Sequence, residues 1–370
     1  MTFFRKEKLL FIITLYSSSF SSYVVSMESL SIQPGSRAMA MAGVFSAQAD
    51  DSSAIWYNPS ALIHYDYIKQ DFTFEVGQRS FVADTNKNNR RYNTEIFPKY
   101  IAYYSRTKLK INGKYPMGIG LSYFSAYKNK LNINVAKSLV TDVEFGDVEV
   151  NSHQISSMIN LNISKVLSLG GTVDFLWMRV DCLEYEPCVD NGPTGIGATL
   201  GGLYEIINHS DYVIKLGAVW RTSAKMSYLS TPSSGIGTVL SDYTPDRPDS
   251  KHVSISLQMP TPWFLMNSNL MLEQVAWSKT VNRGQSLSDY QNIGASVELM
   301  SFFSTGNAFA TRTGVKLINN KTTGDLDAVV TAFGFGYELK KSHMIDIAYE
   351  FRKIRSTADI GSWSISYSWQ

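Results

Sequence analysis

From about residue 71 onward, apolar and polar residues alternate along the chain with a period of two. The clearest example is the last segment, where Trp363, Ile365, Tyr367 and Trp369 alternate with serines. A period of two places successive side chains on opposite faces of a β-strand. Fourteen such segments are predicted, near residues 71–82, 96–106, 118–128, 150–164, 170–180, 197–206, 212–221, 252–260, 269–277, 292–300, 310–317, 328–339, 343–352 and 361–370. The pattern therefore predicts an all-β protein.

The two faces of these strands favour an antiparallel transmembrane β-barrel. Aromatic residues stand near the ends of the apolar faces: Tyr212 and Trp220 are eight residues apart, which is about 27 Å at the rise of a strand. The apolar band of a membrane barrel is about 25 Å tall and is edged by aromatic residues. The opposite faces carry glycine, serine and isolated charges, which suit a polar lumen. A soluble β-sandwich is the alternative, but it explains neither the uniform strand length nor this spacing.

The predicted connections differ in length in a regular way. Long ones follow odd-numbered strands, as at 84–93, 129–149, 181–194 and 222–251, whereas those after the fourth, sixth and twelfth strands are short. Bacterial barrels have long extracellular loops and short periplasmic turns. We therefore expect both ends of the barrel segment on the periplasmic side.

The composition excludes several other classes of protein. The chain has 370 residues, of which 44% are hydrophobic, 13% aromatic and 18% charged. This many aromatic residues would be unusual in a disordered chain, and a formal charge of +2 provides no basic surface for nucleic acid. After the N-terminus, no apolar run approaches the about 20 residues of a transmembrane helix. Strands with one lipid-facing and one lumen-facing side account for the low charge and a mean hydropathy near zero.

The first 26 residues have the pattern of a cleavable signal peptide. The basic residues Arg5, Lys6 and Lys8 precede a short apolar run at 9–16, and a serine-rich stretch follows. The run is too short to span a membrane, so an export signal is favoured over an anchor or a buried first strand. Cleavage after Ser26 would leave a mature chain without net charge.

Two cysteines are consistent with export. Cys182 and Cys188 lie six residues apart in a predicted loop between two strands. Two cysteines that close one small surface loop favour a disulfide in an oxidising compartment. A metal site is the alternative, but it would need further ligands, and the histidines are scattered singly. We therefore predict no metal and no cofactor.

Residues 27–67 do not alternate, and we predict that they form a compact plug of short helices and turns. The stretch 34–43 is rich in small residues, and 50–62 contains several residues that can cap a helix. Pro59 limits any continuous helix there, because proline lacks a backbone donor. A barrel of fourteen strands is wide enough to need filling or to leave a channel. The predicted domains are a signal peptide at 1–26, the plug at 27–67 and a barrel at 68–370.

Small and acidic residues follow a distinctive order within the plug. The elements are, in order, Gly35, Gly43, Asp50, Asp51, Asn58, Pro59 and Ser60. This order resembles the N-terminal hatch of the FadL/TodX-type outer-membrane transporters, where glycine, small residues, glycine, an acidic pair and Asn-Pro-Ala precede a fourteen-stranded barrel. The motifs span residues 35–62, and the strand count extends the resemblance to nearly the whole mature chain.

Two positions depart from the family pattern. Ser60 stands where the family has the alanine of Asn-Pro-Ala, which leaves the turn chemistry intact. Gln370 follows Trp369 at a point where family members often end in an aromatic residue.

The resemblance implies an outer-membrane channel that binds long-chain fatty acids or other hydrophobic compounds in its lumen and releases them sideways. The ligand's identity and the direction of transport stay open. The implied partners are membrane lipid and a hydrophobic ligand, and the chain is predicted to be a monomer.

Several inward positions are candidates for contact with such a ligand. Phe124, Leu203 and Met300 are predicted to contribute an apolar lining. Arg312, Lys215 or Arg221 would meet a carboxylate head group, although pairing with acidic residues across the lumen is the favoured role. The acidic candidates for that pairing are Glu273, Glu298, Asp346 and Glu350.

Two other functions were weighed against transport. Similar hatch motifs occur in barrel components of the type IX secretion apparatus, which bind secreted proteins, and the loops at 129–149 and 222–251 would suit such partners. An enzyme is disfavoured, because the five histidines lack a motif with a nucleophile. The Gly-x-Gly stretches at 118–120, 195–197 and 334–336 lie in predicted strands and not at the start of a helix, so they are interpreted as small inward residues.

Overall fold

The computed structural model describes most of the chain beyond the predicted signal peptide. The described residues are 33–65, 67–85, 88–93, 96–111, 115–132, 147–182, 192–227, 246–279, 289–321, 323–340, 342–354 and 359–370. The predicted signal peptide at 1–26 and Cys188 lie outside them. The export signal and the disulfide between Cys182 and Cys188 therefore stay predictions.

A single antiparallel sheet accounts for most of the described residues. Its strands are β1 (Gln70–Thr85), β2 (Asn88–Asn93), β3 (Phe97–Ile111), β4 (Tyr115–Asn132), β5 (Asp147–Asn162), β6 (Leu167–Cys182), β7 (Thr194–Asn208), β8 (Val213–Arg221), β9 (Asp249–Pro260), β10 (Phe264–Ala276), β11 (Tyr290–Phe302), β12 (Ala308–Asn320), β13 (Leu326–Leu339), β14 (His343–Ile354) and β15 (Asp359–Trp369). From β3 to β15 each strand pairs with the next in the chain, and β15 pairs with β1. The sheet therefore closes on itself as a barrel.

The barrel has fourteen strand positions, because β2 and β3 share one of them. Residues 80–85 of β1 pair with β2, and residues 70–77 of β1 pair with β3. Each of the fourteen predicted segments coincides with a strand, which confirms the predicted fold class. The sequence did not reveal β2, because its six residues, Asn-Asn-Arg-Arg-Tyr-Asn, are nearly all polar and lack the alternating pattern.

Side chains alternate between the outside and the lumen as predicted. On β13, Phe333, Phe335 and Tyr337 are 43–52% exposed, whereas the residues between them are buried. The three predicted lining residues also face inward and are buried: they are Phe124, Leu203 and Met300. The apolar face is therefore the outer face, the reverse of a soluble barrel.

Connection lengths separate the two ends of the barrel. The strand ends separated by only a few residues of sequence, 112–114, 163–166, 209–212, 261–263, 303–307 and 340–342, lie at the same end as the start of β1 and the end of β15. The opposite end carries the longer connections at 133–146, 183–193, 222–248 and 277–289, of which 277–279 form a short 3-10 helix. The connections at 321–325 and 355–358 are short exceptions at that end.

The plug lies inside the barrel. It contains α1 (Ser36–Ala40), α2 (Ala54–Tyr57) and α3 (Ala61–His64), joined by turns. Between residues 33 and 65 every residue is buried or half-buried. Asn58 and Pro59 separate α2 from α3, as expected from the missing backbone donor of proline. Across the described part of the chain, none of the helices has the length and apolar character to cross a membrane.

Candidate functional site

The boundary between the plug and the barrel wall is the candidate site, and inward glycines let the two approach closely. A Cβ atom at Gly170 of β6 would lie 2.5 Å from the carbonyl oxygen of Pro59 in the plug. Asn160 of β5 donates a hydrogen bond to that same oxygen at 3.0 Å. At Gly334 an added Cβ would lie 2.6 Å from the Cβ of Ala40. Glycine at these positions therefore makes room for the plug, as interpreted from the sequence.

A buried carboxylate on β11 receives hydrogen bonds from both the plug and the wall. From the plug, Arg37 donates to the two oxygens of Glu298 at 2.9 and 2.8 Å, and Gln48 donates at 2.5 Å. From the wall, Arg312 of β12 donates at 2.6 Å and Asn267 of β10 at 2.8 Å. Glu298 thus joins residues that are far apart in the sequence at a single point.

Two further carboxylates complete this arrangement, which we call the Glu298 network (Arg37, Asp50, Glu298, Arg312 and Asp346). Arg37 also pairs with Asp50 of the plug at 2.6 Å, and Arg312 pairs with Asp346 of β14 at 2.5 Å. Burial raises the pKa of Asp50, and the nearby Arg37 opposes this rise. Buried charges are tolerated when they are paired and hydrogen-bonded in this way. Arg312 pairs with two of the predicted acidic partners, Glu298 and Asp346, but these lie on nearby strands of the wall and not across the lumen as predicted.

The Asn58-Pro59-Ser60 turn is fixed by side-chain bonds on both sides. The amide nitrogen of Asn58 donates to the carbonyl oxygens of Ser46, at 2.9 Å, and Gly202 of β7, at 3.2 Å. The amide oxygen of Asn58 accepts a hydrogen bond from the Ser60 hydroxyl at 2.7 Å. The residue that departs from the family pattern therefore adds a bond that alanine could not make.

The two motif glycines of the plug have left-handed backbone conformations. Gly35 has φ +82° and Gly43 has φ +75°, a region that side-chain-bearing residues seldom adopt. The N–H of Gly35 donates to the carboxylate of Glu75 on β1 at 2.7 Å. Lys99 of β3 donates to that carboxylate at 2.9 Å. The start of α1 is therefore attached to the wall beside β1 and β3.

The second acidic motif residue is bound within the plug. One carboxylate oxygen of Asp51 accepts hydrogen bonds from the backbone N–H of Ser53, at 2.9 Å, and from its hydroxyl. Burial raises the pKa of Asp51 to about 7, with smaller contributions from the neighbouring carboxylates of Asp71 and Asp50, while Arg37 acts in the opposite direction. Asp51 thus titrates near neutral pH inside the lumen.

An apolar cluster forms a second contact between the plug and the wall, beside the Glu298 network. It joins plug residues to β3, β4, β5 and β7, and includes Ala38, Met41, Phe45, Ile55, Tyr57, Leu62, Tyr65, Ile68, Phe97, Tyr100, Tyr104, Phe124, Met158 and Leu203. Trp56 packs against it, with its ring centroid 4.8 Å from that of Phe124. The guanidinium group of Arg221 on β8 lies over the ring of Trp56, 4.1 Å from its centroid. The plug therefore contacts the wall through both charged pairs and apolar side chains, and Arg37 of the Glu298 network lies 5.4 Å from the ring centroid of Phe45 in the cluster.

The apolar cluster reaches the wall where the sheet is irregular. The described residues have no strand between Asn93 of β2 and Phe97 of β3, and the register with β1 shifts between Glu75 and Val76. Phe97 is 9% exposed and belongs to the cluster, whereas the preceding Ile96 is 62% exposed. Pro98 pairs with Val76 and cannot donate a ladder hydrogen bond. Phe97 and Ile96 therefore place apolar side chains on the inner and outer faces of the wall at the start of β3.

The structure separates the three cations that were predicted as partners of a carboxylate head group. Arg312 belongs to the Glu298 network, and Arg221 donates to the carbonyl oxygen of Trp56 at 2.9 Å. Lys215 is buried, donates to the hydroxyl of Tyr65 at 3.3 Å and forms no ion pair with a carboxylate of the described residues. Its contact with a ligand stays a prediction.

Several residues of the site were not identified from the sequence. Arg37 and Gln48 stand in the plug without a periodic pattern, and Glu75 lies in a strand that alternates like the others. The feature by which the sequence could have identified them is a charged or amide side chain within a stretch otherwise made of small or apolar residues. The sequence does not show which of many such groups meet, because the partners come from distant strands.

Comparison with known proteins supports a single conclusion about the fold. No protein-family sequence model and no curated protein sequence matches the chain. Among solved structures, the toluene transporter TodX of P. putida is 13% identical, covering 91% of this chain and 98% of that chain with a TM-score of 0.61. The monoaromatic hydrocarbon channel CymD is 12% identical, and the match covers 91% of this chain and 97% of CymD with a TM-score of 0.57. A Pseudomonas aeruginosa FadL homologue is 11% identical, covering 90% and 98%, with a TM-score of 0.55. The chain is therefore a fourteen-stranded barrel with an internal plug, and it has the fold of the FadL/TodX-type proteins.

Proposed function

We propose that this protein is an outer-membrane channel for hydrophobic small molecules, which binds its ligand in the lumen and releases it sideways through the wall. The observation that carries the proposal is the apolar cluster, which extends from Trp56 in the plug to Phe97 at the interruption between β2 and β3. A solute that leaves water for such surroundings gains about 25 cal/mol for each Å² of apolar surface buried. In this proposal an apolar solute binds against the cluster and leaves through the wall beside Phe97.

The outer surface of the barrel supports placement in a membrane. Large apolar side chains are exposed all around it, for example Leu121 at 56%, Val173 at 61% and Ile347 at 51%. A soluble protein rarely exposes so continuous an apolar surface, whereas a membrane barrel requires one. The long-loop end would then face the outside of the cell and the short-turn end the periplasm.

The structural neighbours support the class of ligand. They include a toluene transporter, a monoaromatic hydrocarbon channel and a FadL homologue. The aromatic rings of Trp56, Tyr100 and Phe124, with centroids 4.8 and 6.2 Å apart, provide surfaces for stacked or edge-to-face contact with an aromatic or aliphatic solute. We therefore propose hydrocarbons and fatty-acid-like compounds as the ligands.

The two contacts between the plug and the wall suggest how a ligand passes. The Glu298 network attaches the plug to β10, β11, β12 and β14, whereas the apolar cluster lies against β3, β4, β5 and β7. Ligand entry would separate apolar contacts that the ligand itself replaces, while the ionic contacts stay intact. The plug would then move where the ligand replaces apolar contacts and remain attached through the Glu298 network.

A disulfide across the wall interruption tests sideways release. Cysteines replacing Val76 and Pro98, which are register partners beside the interruption, should close it when oxidised. We expect uptake of toluene or a long-chain fatty acid by producing cells to fall by about tenfold and to recover on reduction, which corresponds to about 1.4 kcal/mol in the rate-limiting step.

The matched control is a second pair of cysteines on the same two strands. Phe74 and Ile101 are register partners in the regular part of the ladder, so oxidation there should leave uptake unchanged. Unaltered uptake with the Val76–Pro98 disulfide fully formed would exclude sideways release at this place. If cells with the unmodified protein take up no more ligand than cells without it, the channel function itself is wrong.

A further inference from the structure

Three aromatic side chains form a row on the outer surface of adjacent strands. Tyr123 of β4, His153 of β5 and Trp177 of β6 have ring centroids 5.8 Å apart for the first pair and 5.2 Å for the second, with interplanar angles of 20° and 27°. The Tyr123 hydroxyl and Nδ1 of His153 are 2.8 Å apart, a hydrogen bond. We call these residues the aromatic row. Their spacing is close to the separation of neighbouring strands, about 4.8 Å.

The aromatic row lies at the outer edge of the apolar belt. On β6, Leu169, Val173 and Phe175 are 45–61% exposed on the same face as Trp177. The eight residues from Leu169 to Trp177 span about 27 Å, close to the height of about 25 Å of an apolar membrane band. Two residues beyond Trp177, toward the long-loop end, Arg179 is exposed on that face.

The outward side chains along β6 follow a definite chemical order. An apolar belt comes first, then a row of flat rings with polar edges, then a guanidinium group. A lipid that presents acyl chains, a sugar and a phosphate in that order would match each level. Guanidinium groups bind phosphate with charge-assisted, two-pronged hydrogen bonds, and flat rings offer an apolar face beside polar edges at the level of the head group.

From this arrangement we propose that the aromatic row and Arg179 form a binding site for a phosphorylated glycolipid of the outer leaflet. The acyl chains lie along the belt below Trp177, the sugar contacts the rings and the phosphate binds Arg179. The hydrogen bond between Tyr123 and His153 fixes two of the rings before the lipid arrives, which lowers the entropy lost on binding. The proposal depends on the membrane location but not on the transported ligand.

Another exterior tryptophan provides a contrasting environment. Trp220 of β8 donates its indole N–H to the carboxylate of Asp249 at 3.1 Å, and Lys251 lies 5.8 Å from its ring centroid. The Asp249 carboxylate accepts the indole N–H and offsets the positive charge of Lys251, so these two groups provide no net positive charge to attract a phosphate. Trp220 is therefore a matched control: an aromatic residue at the barrel exterior without the proposed site.

The test measures bound lipid directly. The full chain and its variants are purified in mild detergent from the outer membrane, and phosphorylated glycolipid retained per protein is measured by native mass spectrometry. We expect Trp177→Leu and Arg179→Gln each to reduce occupancy by about fivefold, the effect of losing one aromatic or charged contact, and Trp220→Leu to leave it unchanged. Heat-dependent gel migration confirms that each variant is folded.

Adding lipids back to delipidated protein distinguishes the sources of binding. Phosphorylated lipid A should bind the unmodified chain. Dephosphorylated lipid A should bind the unmodified chain about as weakly as phosphorylated lipid A binds Arg179→Gln. The binding of phosphatidylglycerol should not change in Trp177→Leu. Equal occupancy in Trp177→Leu and Trp220→Leu would overturn the proposal, because the row would then act only as a general interfacial belt. Undetectable binding of lipid A to the folded chain would overturn it as well. In either case uptake of hydrophobic compounds would be unaffected, so the outcome is separate from the transport function.

Discussion

At the scale of single residues, Glu298 is a point where the plug and the wall are joined. Its carboxylate is buried and accepts hydrogen bonds from Arg37, Gln48 and Arg312. The two guanidinium groups on either side would repel one another without the negative charge between them. A buried ion pair is costly to break because the remaining partner is left uncompensated.

We expect Glu298→Gln to destabilise the protein by about 3 kcal/mol, because Arg37 and Arg312 each lose a charged hydrogen-bond partner and keep only Asp50 and Asp346. The change keeps the side-chain shape and removes only the charge. The measurement is the unfolding temperature in detergent, followed by heat-dependent gel migration. Asp211→Asn is the control, because its side chain is 81% exposed and contacts His209 and Ser210 of the same turn. A loss no larger than that of the control would show that the network contributes little.

Asp51 gives the plug a dependence on pH. Its pKa is about 7 in the folded protein because of burial, against about 3.9 for an ordinary aspartate. The folded protein thus holds this proton more tightly than the unfolded chain does. Stability from this group is fully present below pH 4, falls as the pH rises toward 7 and is constant above it.

We expect Asp51→Asn to remove this part of the pH dependence. The amide oxygen can still accept the hydrogen bonds from Ser53, but it cannot ionise. Relative to the unmodified chain, the variant should gain about 2.7 kcal/mol of stability between pH 5 and pH 8, because the pKa of about 7 lies about two units above pH 5 and each unit is worth about 1.36 kcal/mol. Unfolding temperatures at the two pH values measure the difference. If the unmodified chain and Asp51→Asn respond to pH alike, the carboxyl group does not titrate in this range.

At the scale of elements, the strands and the plug follow different rules. Each strand exposes one face to an apolar exterior and one to the lumen, so its sequence repeats every two residues and could be located at all fourteen positions. The predicted ends of the strands were less accurate. For example, β5 begins at Asp147 and β6 ends at Cys182, three and two residues beyond the predicted limits. β2 and the outer ends of strands lack the alternation because pairing there does not depend on an apolar exterior.

The fit between plug and wall depends on small inward residues of the strands. We expect Gly170→Ala to displace the turn at Pro59 and to destabilise the protein by about 1–3 kcal/mol, the usual cost of inserting a methyl group into a packed site. Displacement should also admit small polar solutes, measured as swelling of vesicles that contain the protein.

A neighbouring glycine provides the control for this prediction. Gly202 lies on the next strand, and a Cβ atom added there would meet Leu169 at an ordinary distance of 3.6 Å. Gly202→Ala should therefore change neither stability nor swelling. Equal behaviour of the two variants would mean that the plug adjusts without cost.

At the scale of the whole molecule, the sequence by itself determined the barrel, its number of strands and the side of each strand that faces outward. It also located the plug, because residues 27–67 break the alternation. These features follow from local chemistry, since an apolar exterior acts on every strand separately. Only the tertiary structure decided which polar residues meet. Arg37 and Glu298 are 261 residues apart in the sequence, and many inward charges had a similar pattern. Closure of the sheet and insertion of the plug bring particular pairs together, and no repeat along the chain records that three-dimensional proximity.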